Sequence, residues 1–212
     1  MSAKLIRVTD EASFAEAVEL AAAYLQEGKL VVFPTETVYG IGCNALDEIA
    51  VEKLYRAKQR PLDKPLLLHL YSIEQAKQYS HLQEDAESLL NRFTPGPLSV
   101  IVKKKTEIPS IVTSGGDTVG LRFPDEPLFL AIARKAVIPI AATSANLSGF
   151  VSAKDGESAS QLSEIADLII DGGPCRFSIE STILSLLGER PKLLREGAIR
   201  REEITEVIGP CD

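Results

Sequence analysis

The strongest constraint on the fold is a repeated alternation of short apolar runs with longer stretches of helical periodicity, which continues along the whole 212-residue chain. Runs such as residues 30–33 and 138–142 are too apolar for surface strands and are typical of strands buried inside a sheet. Strands separated by helices predict an α/β layer architecture, and the close spacing of the last strands adds antiparallel members. We therefore expect one domain, residues 1–212, built on a mixed sheet.

Capping residues and chain breakers set the boundaries of the predicted elements. Asp10 suits the N-cap of the first helix, and Gly28 suits the C′ position that follows it. The predicted strands are residues 4–8, 30–33, 65–70, 98–103, 118–122, 138–142, 167–170, 181–186 and 192–194. The predicted helices are residues 11–27, 47–57, 72–79, 85–93, 126–136, 157–165 and 201–207. Residues 35–45 are predicted to be rich in turns, and residues 148–160 to form a surface loop.

Composition excludes several classes of protein. The 30 acidic side chains outnumber the 23 Lys and Arg residues, which argues against a surface that binds polyanions everywhere but leaves room for a local cationic pocket. The three cysteines are far apart and the two histidines lie outside any metal-ligand spacing, so neither a disulfide framework nor a zinc site is expected. No apolar run approaches the roughly 18 residues of a membrane span. A soluble, cytoplasmic protein is the expectation.

One cationic segment stands out in the sequence AKQRPLDKPLLLH. Pro61 disfavours helical backbone at Arg60, and in an extended chain the side chains of residues i and i+2 point to the same side. Lys58 and Arg60 are therefore expected to converge on one target, with Lys64 within reach. Such a group of cations suits phosphate oxygens. The alternative is a basic helix end that faces solvent.

Polar side chains also follow the apolar run of residues 138–142. Ser144 and Asn146 are expected to emerge at the end of this strand, and the small Ala145 between them lets both reach one ligand. Open α/β sheets place their ligands at such strand ends. A local Asx or Ser/Thr turn is the alternative reading.

Two further segments remain ambiguous at the level of residue chemistry. Gly115 and Gly116 in SGGDT suit either an anion-binding nest of amides or a simple hairpin turn. Thr118 and Arg122 lie on one face of the next strand, and His69 ends another strand, as a core histidine or as a ligand. The chain has neither a P-loop nor a complete GxGxxG. The residues alone thus predict an anion-binding cleft for a phosphorylated ligand.

The ordered set of segments FPTETVYG, AKQRPLDKPL followed by His69, PGPLS, DTVGLRFP, ATSANLSG, ESTI and LLREG resembles the YrdC/TsaC family over residues 10–208. The KxR and SxN signatures of that family correspond to residues 58–60 and 144–146. One departure is Thr94, which stands where the family usually has tryptophan before PGP. The resemblance implies a twisted mixed β-sheet flanked by helices around a large cationic concave cavity.

The resemblance also implies an activity, that of a threonylcarbamoyl-AMP synthase. L-threonine, bicarbonate or CO2 and ATP would give threonylcarbamoyl-AMP and pyrophosphate, an adenylyl transfer that begins the synthesis of the tRNA nucleoside t6A. Mg2+ would be held by the triphosphate, without a dedicated metal-ligand set in the protein. Transient contact with the t6A transfer complex and weak contact with tRNA would follow, without a membrane partner.

The site residues implied by the resemblance fall into two groups. Lys58 and Arg60 would also be the catalytic residues, and Arg122 would take the substrate carboxylate with two hydrogen bonds. The threonine pocket would comprise Thr37, His69, Arg122, Ala142 and Ser181. The ATP contacts would comprise Lys58, Arg60, Lys64, Thr118, Ser144, Asn146, Ser152 and Arg195.

Two alternatives to the synthase remain open from the sequence. One is a paralogue on the same fold that acts on another carbamoyl-adenylate, and the other is an RNA-binding protein without catalysis. Some relatives carry a second, C-terminal domain that reaches over the nucleotide. Because this chain stops at Asp212, that lid is expected to be missing.

Overall fold

The structure, a computed structural model, describes residues 2–212 and contains one mixed sheet. The strands are β1 (Lys4–Arg7), β2 (Val31–Phe33), β3 (Gly40–Asn44), β4 (Leu67–His69), β5 (Ser80–His81), β6 (Gly96–Lys104), β7 (Thr118–Phe123), β8 (Ile140–Ser144), β9 (Leu168–Asp171), β10 (Thr182–Ser185) and β11 (Lys192–Arg195). The helices are α1 (Glu11–Gln26), α2 (Glu48–Lys58), α3 (Ile73–Tyr79), α4 (Glu84–Phe93), α5 (Pro127–Ala136), α6 (Gly156–Ala159) and α7 (Arg201–Ile208), with short 3-10 helices at Ser110–Thr113 and Ser160–Leu162.

The strand order along the sheet is β1-β9-β2-β3-β8-β4-β7-β6-β10-β11, and β5 pairs with β6. The pairs β1–β9, β2–β9, β4–β7 and β6–β10 are parallel, whereas β2–β3, β3–β8, β4–β8, β6–β7, β10–β11 and β5–β6 are antiparallel. The predicted α/β class with a mixed, twisted sheet is therefore confirmed.

Side-chain caps explain where the main helices begin. Asp10 accepts a hydrogen bond from the amide of Ser13 while the Ser13 hydroxyl bonds back to the Asp10 amide, which forms a capping box at α1. Asp47 caps α2 through two amides, and Glu126 caps α5 ahead of Pro127. These local signals are what made α1, α2 and α5 predictable to within one residue at each end.

The two faces of the sheet carry different layers. Along β2, Val31 and Phe33 pack with α1 and α5, whereas Val32 belongs to a second apolar cluster on the opposite face, which includes residues of α2 and α4. Phe33 and Phe129 of α5 place their ring centroids 5.1 Å apart. Helices α1 and α5 pack against each other and cover only part of their face. The cavity described below lies on this face, beside them.

The turn-rich prediction for residues 35–45 is wrong in its second half, because this part of the chain forms β3. Gly40 and Gly42 had suggested turns, but they serve close packing between layers and strands. A Cβ on Gly40 would lie 2.7 Å from the Phe33 ring, and one on Gly42 would lie 2.8 Å from Cγ2 of Ile140. The short β5 was also missed, and the predicted loop at residues 148–160 contains α6. The helix predicted for residues 157–165 is wrong in its second half, because α6 ends at Ala159 and a short 3-10 helix follows it to Leu162.

The end of the sheet next to the cavity is fastened by one buried hydroxyl. Oγ1 of Thr182 in β10 accepts hydrogen bonds from the amides of Gly197 (2.9 Å) and Ile199 (3.0 Å), and it donates to the Ile199 carbonyl (2.6 Å). The chain after β11 is thereby held against the start of β10. The approach is so close that a Cβ on Gly197 would lie 2.2 Å from the Glu180 carbonyl oxygen.

We expect Gly197→Ala to lower the free energy of unfolding by about 2 kcal/mol or more, because the methyl group meets backbone atoms that have little freedom to move. Gly188→Ala is the matched control, since its Cβ would lie 3.4 Å from the nearest neighbouring atom, the Arg190 carbonyl oxygen, which is a distance of ordinary contact. Urea denaturation of the two variants measures the difference. Equal midpoints would contradict the close approach at Gly197.

Candidate active site

A cavity of about 410 Å³ opens beside α1 and α5, on the part of their sheet face that they do not cover. Its walls come from the segment after β2, from β4, β7 and β8, and from the region of β10 and β11. The lining residues are Thr35, Thr37, Val38, Tyr39, Gly40, Arg60, Pro65, Leu67, His69, Ile101, Arg122, Ala142, Thr143, Ser144, Glu180, Ser181, Ile183, Leu194 and Arg195. The volume is within the usual range of small-molecule sites.

Strand register brings two of the predicted residues together. In the parallel pair β4–β7, His69 lies opposite Arg122, so both side chains reach the cavity from adjacent strands. Burial, with a second contribution from the nearby Arg122, lowers the pKa of His69 to about 3. The imidazole is therefore neutral at physiological pH, and its buried Nδ1 has no hydrogen-bond partner among residues 2–212.

Arg122 is held by an acidic residue to which the sequence analysis gave no role. Its Nη2 donates to Oε1 of Glu36 at 2.7 Å and lies 3.4 Å from the hydroxyl of Thr37. Its other terminal nitrogen, Nη1, is buried and without a hydrogen-bond partner in the described part of the chain. The sequence did contain a signal for this pair, since Glu36 lies in the segment PTETVYG just after a buried strand. A buried carboxylate needs a cationic partner.

Lys58 and Arg60 lie near each other, but the extended backbone predicted for residues 58–60 is wrong. Lys58 is the last residue of α2, and Gln59 is left-handed (φ 51°), so the chain turns sharply between them and is not extended. Arg60 then donates from Nε to the Lys64 carbonyl (2.9 Å) and from Nη2 to the Pro65 carbonyl (2.8 Å). Arg60 lines the cavity, and Lys58 lies behind it.

The buried Lys58 ties the KxR and SxN segments to each other. Its ammonium donates to the Ser144 carbonyl and, at 2.9 Å, to Oδ1 of Asn146. The Ser144 hydroxyl donates to the same Oδ1 at 2.9 Å. Burial, and after it the Arg60 guanidinium, lower the pKa of Lys58 to about 7. As predicted, Ser144 ends β8 and Asn146 follows it, although Asn146 does not line the cavity itself.

A second polar group closes the cavity near β10 and β11. Arg195 donates to the Ser181 carbonyl (2.9 Å) and hydroxyl (3.2 Å), and it forms an ion pair with Glu180. Ser152 donates to the other carboxylate oxygen of Glu180 at 3.1 Å. The predicted residues Ser152, Ser181 and Arg195 are thus brought together by Glu180, which the sequence analysis did not identify.

Five predicted residues do not line the cavity. The side chains of Lys58, Asn146 and Ser152 bond to residues that do line it, whereas those of Lys64 and Thr118 make no such bond among residues 2–212. The side chain of Lys64 is exposed, and only its carbonyl takes part in the contacts of Arg60. Thr118 begins β7, on the same strand face as Arg122 but four residues away. The anion nest considered for SGGDT is not formed, because the amides of Gly115 and Gly116 donate to the backbone carbonyls of Ser110 and Thr113.

The arrangement suits an anionic ligand. Three guanidinium groups, a neutral imidazole and several hydroxyls line the cavity, whereas Glu180 is the single carboxylate among the lining residues. Within residues 2–212 there is no group of three or more His, Cys, Asp or Glu side chains placed to hold a metal ion. None of the helices described is long and apolar enough to cross a membrane. Carboxylate and phosphate oxygens are the groups that such an array of arginines binds.

Known proteins share both the sequence and the fold. The chain is 44% identical over 194 residues to a threonylcarbamoyl-AMP synthase of Pyrococcus abyssi, covering 91% of the chain and 57% of the relative. It is 46% identical over 209 residues to the Bacillus subtilis threonylcarbamoyl-AMP synthase, covering 97% and 60%. The crystal structure of P. abyssi Sua5 complexed with L-threonine superposes with a TM-score of 0.92 at 41% identity, over 99% of this chain and 61% of that one.

The extent of the match supports a statement about the family. The chain spans less than two thirds of the length of the P. abyssi and B. subtilis relatives. The family model of Sua5, YciO and YrdC proteins, described as "Telomere recombination", matches residues 23–197. Because this match takes in most of the chain, including every residue that lines the cavity, the chain belongs to the Sua5/YciO/YrdC family.

Proposed function

We propose that the chain is a threonylcarbamoyl-AMP synthase, which converts L-threonine, bicarbonate or CO2 and ATP to threonylcarbamoyl-AMP and pyrophosphate by adenylyl transfer. The observation that carries this proposal is one cavity lined by Arg60, Arg122 and Arg195, in which the buried Nη1 of Arg122 has no partner among residues 2–212. Arginine guanidinium groups suit both kinds of anion that this reaction brings together, an amino-acid carboxylate and a triphosphate. The relatives named threonylcarbamoyl-AMP synthase add support.

The amino acid would bind at the buried end of the cavity. Arg122 would bind its carboxylate through Nη1, since Nη2 is engaged by Glu36 and the expected contact through both terminal nitrogens would require that pair to rearrange. Thr37 and Ser181 supply hydroxyls for a small polar side chain, and Ala142 forms part of the wall. His69 is neutral, so it can accept or donate a hydrogen bond without adding charge.

The nucleotide would bind across the KxR and SxN segments. Arg60 and Arg195 would contact phosphate oxygens, and Lys58, Ser144 and Asn146 form a connected group beside them. We further propose Lys64, Thr118 and Ser152 as outer contacts of the same ligand. Glu180 is the one carboxylate of the cavity and is already paired, so the donor set fits a Mg2+ ion held chiefly by the triphosphate.

For this reaction the protein has to position the substrates and neutralise the negative charge of the triphosphate. The threonine amine forms a carbamate with CO2 or bicarbonate, and a carbamate oxygen attacks the α-phosphorus as pyrophosphate leaves. Arginines fixed by backbone carbonyls before the ligand arrives need little reorganisation as negative charge shifts toward the leaving group. Arg60, with two such carbonyl contacts, is the residue best placed for this role.

The product serves tRNA modification, so we place the chain in the cytoplasm, acting as one domain over residues 1–212. It would meet the t6A transfer complex transiently and contact tRNA weakly. An overall charge of −7 is unfavourable for broad RNA binding, because affinity for nucleic acid depends on neutralising phosphates.

Threonine-dependent release of pyrophosphate from ATP, in the presence of bicarbonate and Mg2+, is the expected activity. We expect Arg60→Ala to lower its rate by at least about 100-fold, because a preorganised donor to the phosphates is lost. Its melting temperature should stay close to that of the wild type, since the two freed carbonyls lie near solvent. Arg56→Ala, which removes an exposed arginine from the last turn of the preceding helix α2, is the control and should keep full activity. Absence of threonine-dependent release in the wild type would overturn the proposed function.

We expect the binding of ATP to weaken as the pH rises from about 7 to 9. The Lys58 ammonium has a pKa of about 7 in the free protein and loses its proton above it, whereas bound phosphate raises that pKa. Binding at pH 8 should therefore take up a proton, and the uptake should vanish toward pH 5.5, where Lys58 is already charged.

Calorimetry in buffers of different ionisation enthalpy measures this uptake. Lys58→Met should abolish it, and Lys53→Met, which removes an exposed lysine from the same helix, should leave it unchanged. A wild-type binding enthalpy at pH 8 that does not depend on the buffer would contradict the role of Lys58.

A further inference from the structure

Glu36 and Arg122 form a buried ion pair in which each partner keeps one polar atom unsatisfied. The side chains are 1% and 2% exposed, and Oε1 of Glu36 lies 2.7 Å from Nη2 of Arg122. Oε2 of Glu36 and Nη1 of Arg122 are buried and have no hydrogen-bond partner among residues 2–212. A buried polar atom without a partner is unfavourable and usually has a reason.

The main chain on both sides of this pair is held in place. The Glu36 carbonyl accepts a hydrogen bond from the Phe177 amide at 2.8 Å. Arg122 lies in β7, which pairs with β4 on one side and β6 on the other. Thr37 approaches the same Nη2 at 3.4 Å. Both contacts of the guanidinium therefore converge on Nη2, and Nη1 is left without a hydrogen-bond partner in the described part of the chain.

The two partners differ in their relation to the cavity. Arg122 lines it, whereas Glu36 is not among the lining residues and lies behind the guanidinium. A free arginine side chain has several rotatable bonds, and a contact on one terminal nitrogen restricts the direction of the other. The carboxylate also supplies the charge that a fully buried guanidinium needs, because an unpaired buried charge is strongly destabilising.

We propose that Glu36 is a positioning residue: its carboxylate holds Nη2 of Arg122 so that Nη1 is presented to the carboxylate of the amino-acid substrate. This inference rests on the proposed function. Glu36 makes no contact with the substrate itself. Its effect on amino-acid binding depends on the position of its oxygen, and its effect on folding depends on its charge.

Two substitutions separate position from charge. Glu36→Asp keeps the charge but withdraws the carboxylate by one methylene group, which breaks the 2.7 Å contact. Glu36→Gln keeps the length and an acceptor oxygen but removes the charge. We expect Glu36→Asp to weaken L-threonine binding about tenfold, because one charge-assisted contact to Arg122 is lost. Glu36→Gln should weaken it by less than about threefold, because the acceptor oxygen stays in place.

Calorimetry measures the affinities for L-threonine and ATP in the wild type and both variants. The affinity for ATP should be unchanged throughout. Glu19→Asp shortens an exposed carboxylate that pairs with Lys135 and is the matched control. If both variants bind threonine as the wild type does, or if threonine and ATP affinities fall together, the positioning role is wrong while the proposed function stands.

A second measurement does not depend on threonine. A guanidinium held at Nη2 rotates slowly, so 15N NMR of the wild type should resolve separate Nη1 and Nη2 signals for Arg122, with Glu36→Gln retaining them and Glu36→Asp merging them. A wild type without threonine binding would count against the proposed function, and the NMR signals would then decide the positioning role alone. Merged signals in the wild type would overturn it.

Discussion

The buried ion pair between Glu36 and Arg122 is the interaction on which the rest of the site depends. It links the segment after β2 to the middle of the sheet, where β7 is paired on both sides. Removing one partner would leave a charge buried at 1–2% exposure, a change that typically destabilises a protein by about 3–5 kcal/mol. The charge of the pair therefore stabilises the folded sheet, and the position of the Glu36 carboxylate orients Arg122 in the cavity.

Local placement of charge explains how a chain with a net charge of −7 lines one cavity with three arginines. The cavity gathers Arg60, Arg122 and Arg195, whereas exposed acids such as Glu19 and Glu52 pair with surface cations. Arg60 is held by backbone carbonyls and Arg195 by Glu180, so each guanidinium is oriented before a ligand arrives. Preorganised charge of this kind is what the proposed adenylyl transfer requires.

The features that could be predicted from the sequence are those set by interactions between residues close together in the chain. Helix α1 was predictable because Asp10 and Ser13 cap it locally, and the buried strands because their apolar runs are continuous. The strand β3 was predicted wrongly as turns because Gly40 is required by close contact with the Phe33 ring of the neighbouring strand, not by a local backbone preference. The left-handed Gln59, which turns the chain between Lys58 and Arg60, has no signature in the sequence.

The sequence by itself determined the α/β class, the boundaries of most elements and the segments that carry the polar residues of the cavity. It could do so because capping, periodicity and motif order depend on residues that are close together in the chain. Only the tertiary structure decided how those residues act on one another. It showed Lys58 bound to Asn146, Glu180 between Ser152 and Arg195, and Glu36 behind Arg122. The physical reason is that a buried charge selects its partner by proximity in space, and strand order brings together side chains that are 86 residues apart in the chain.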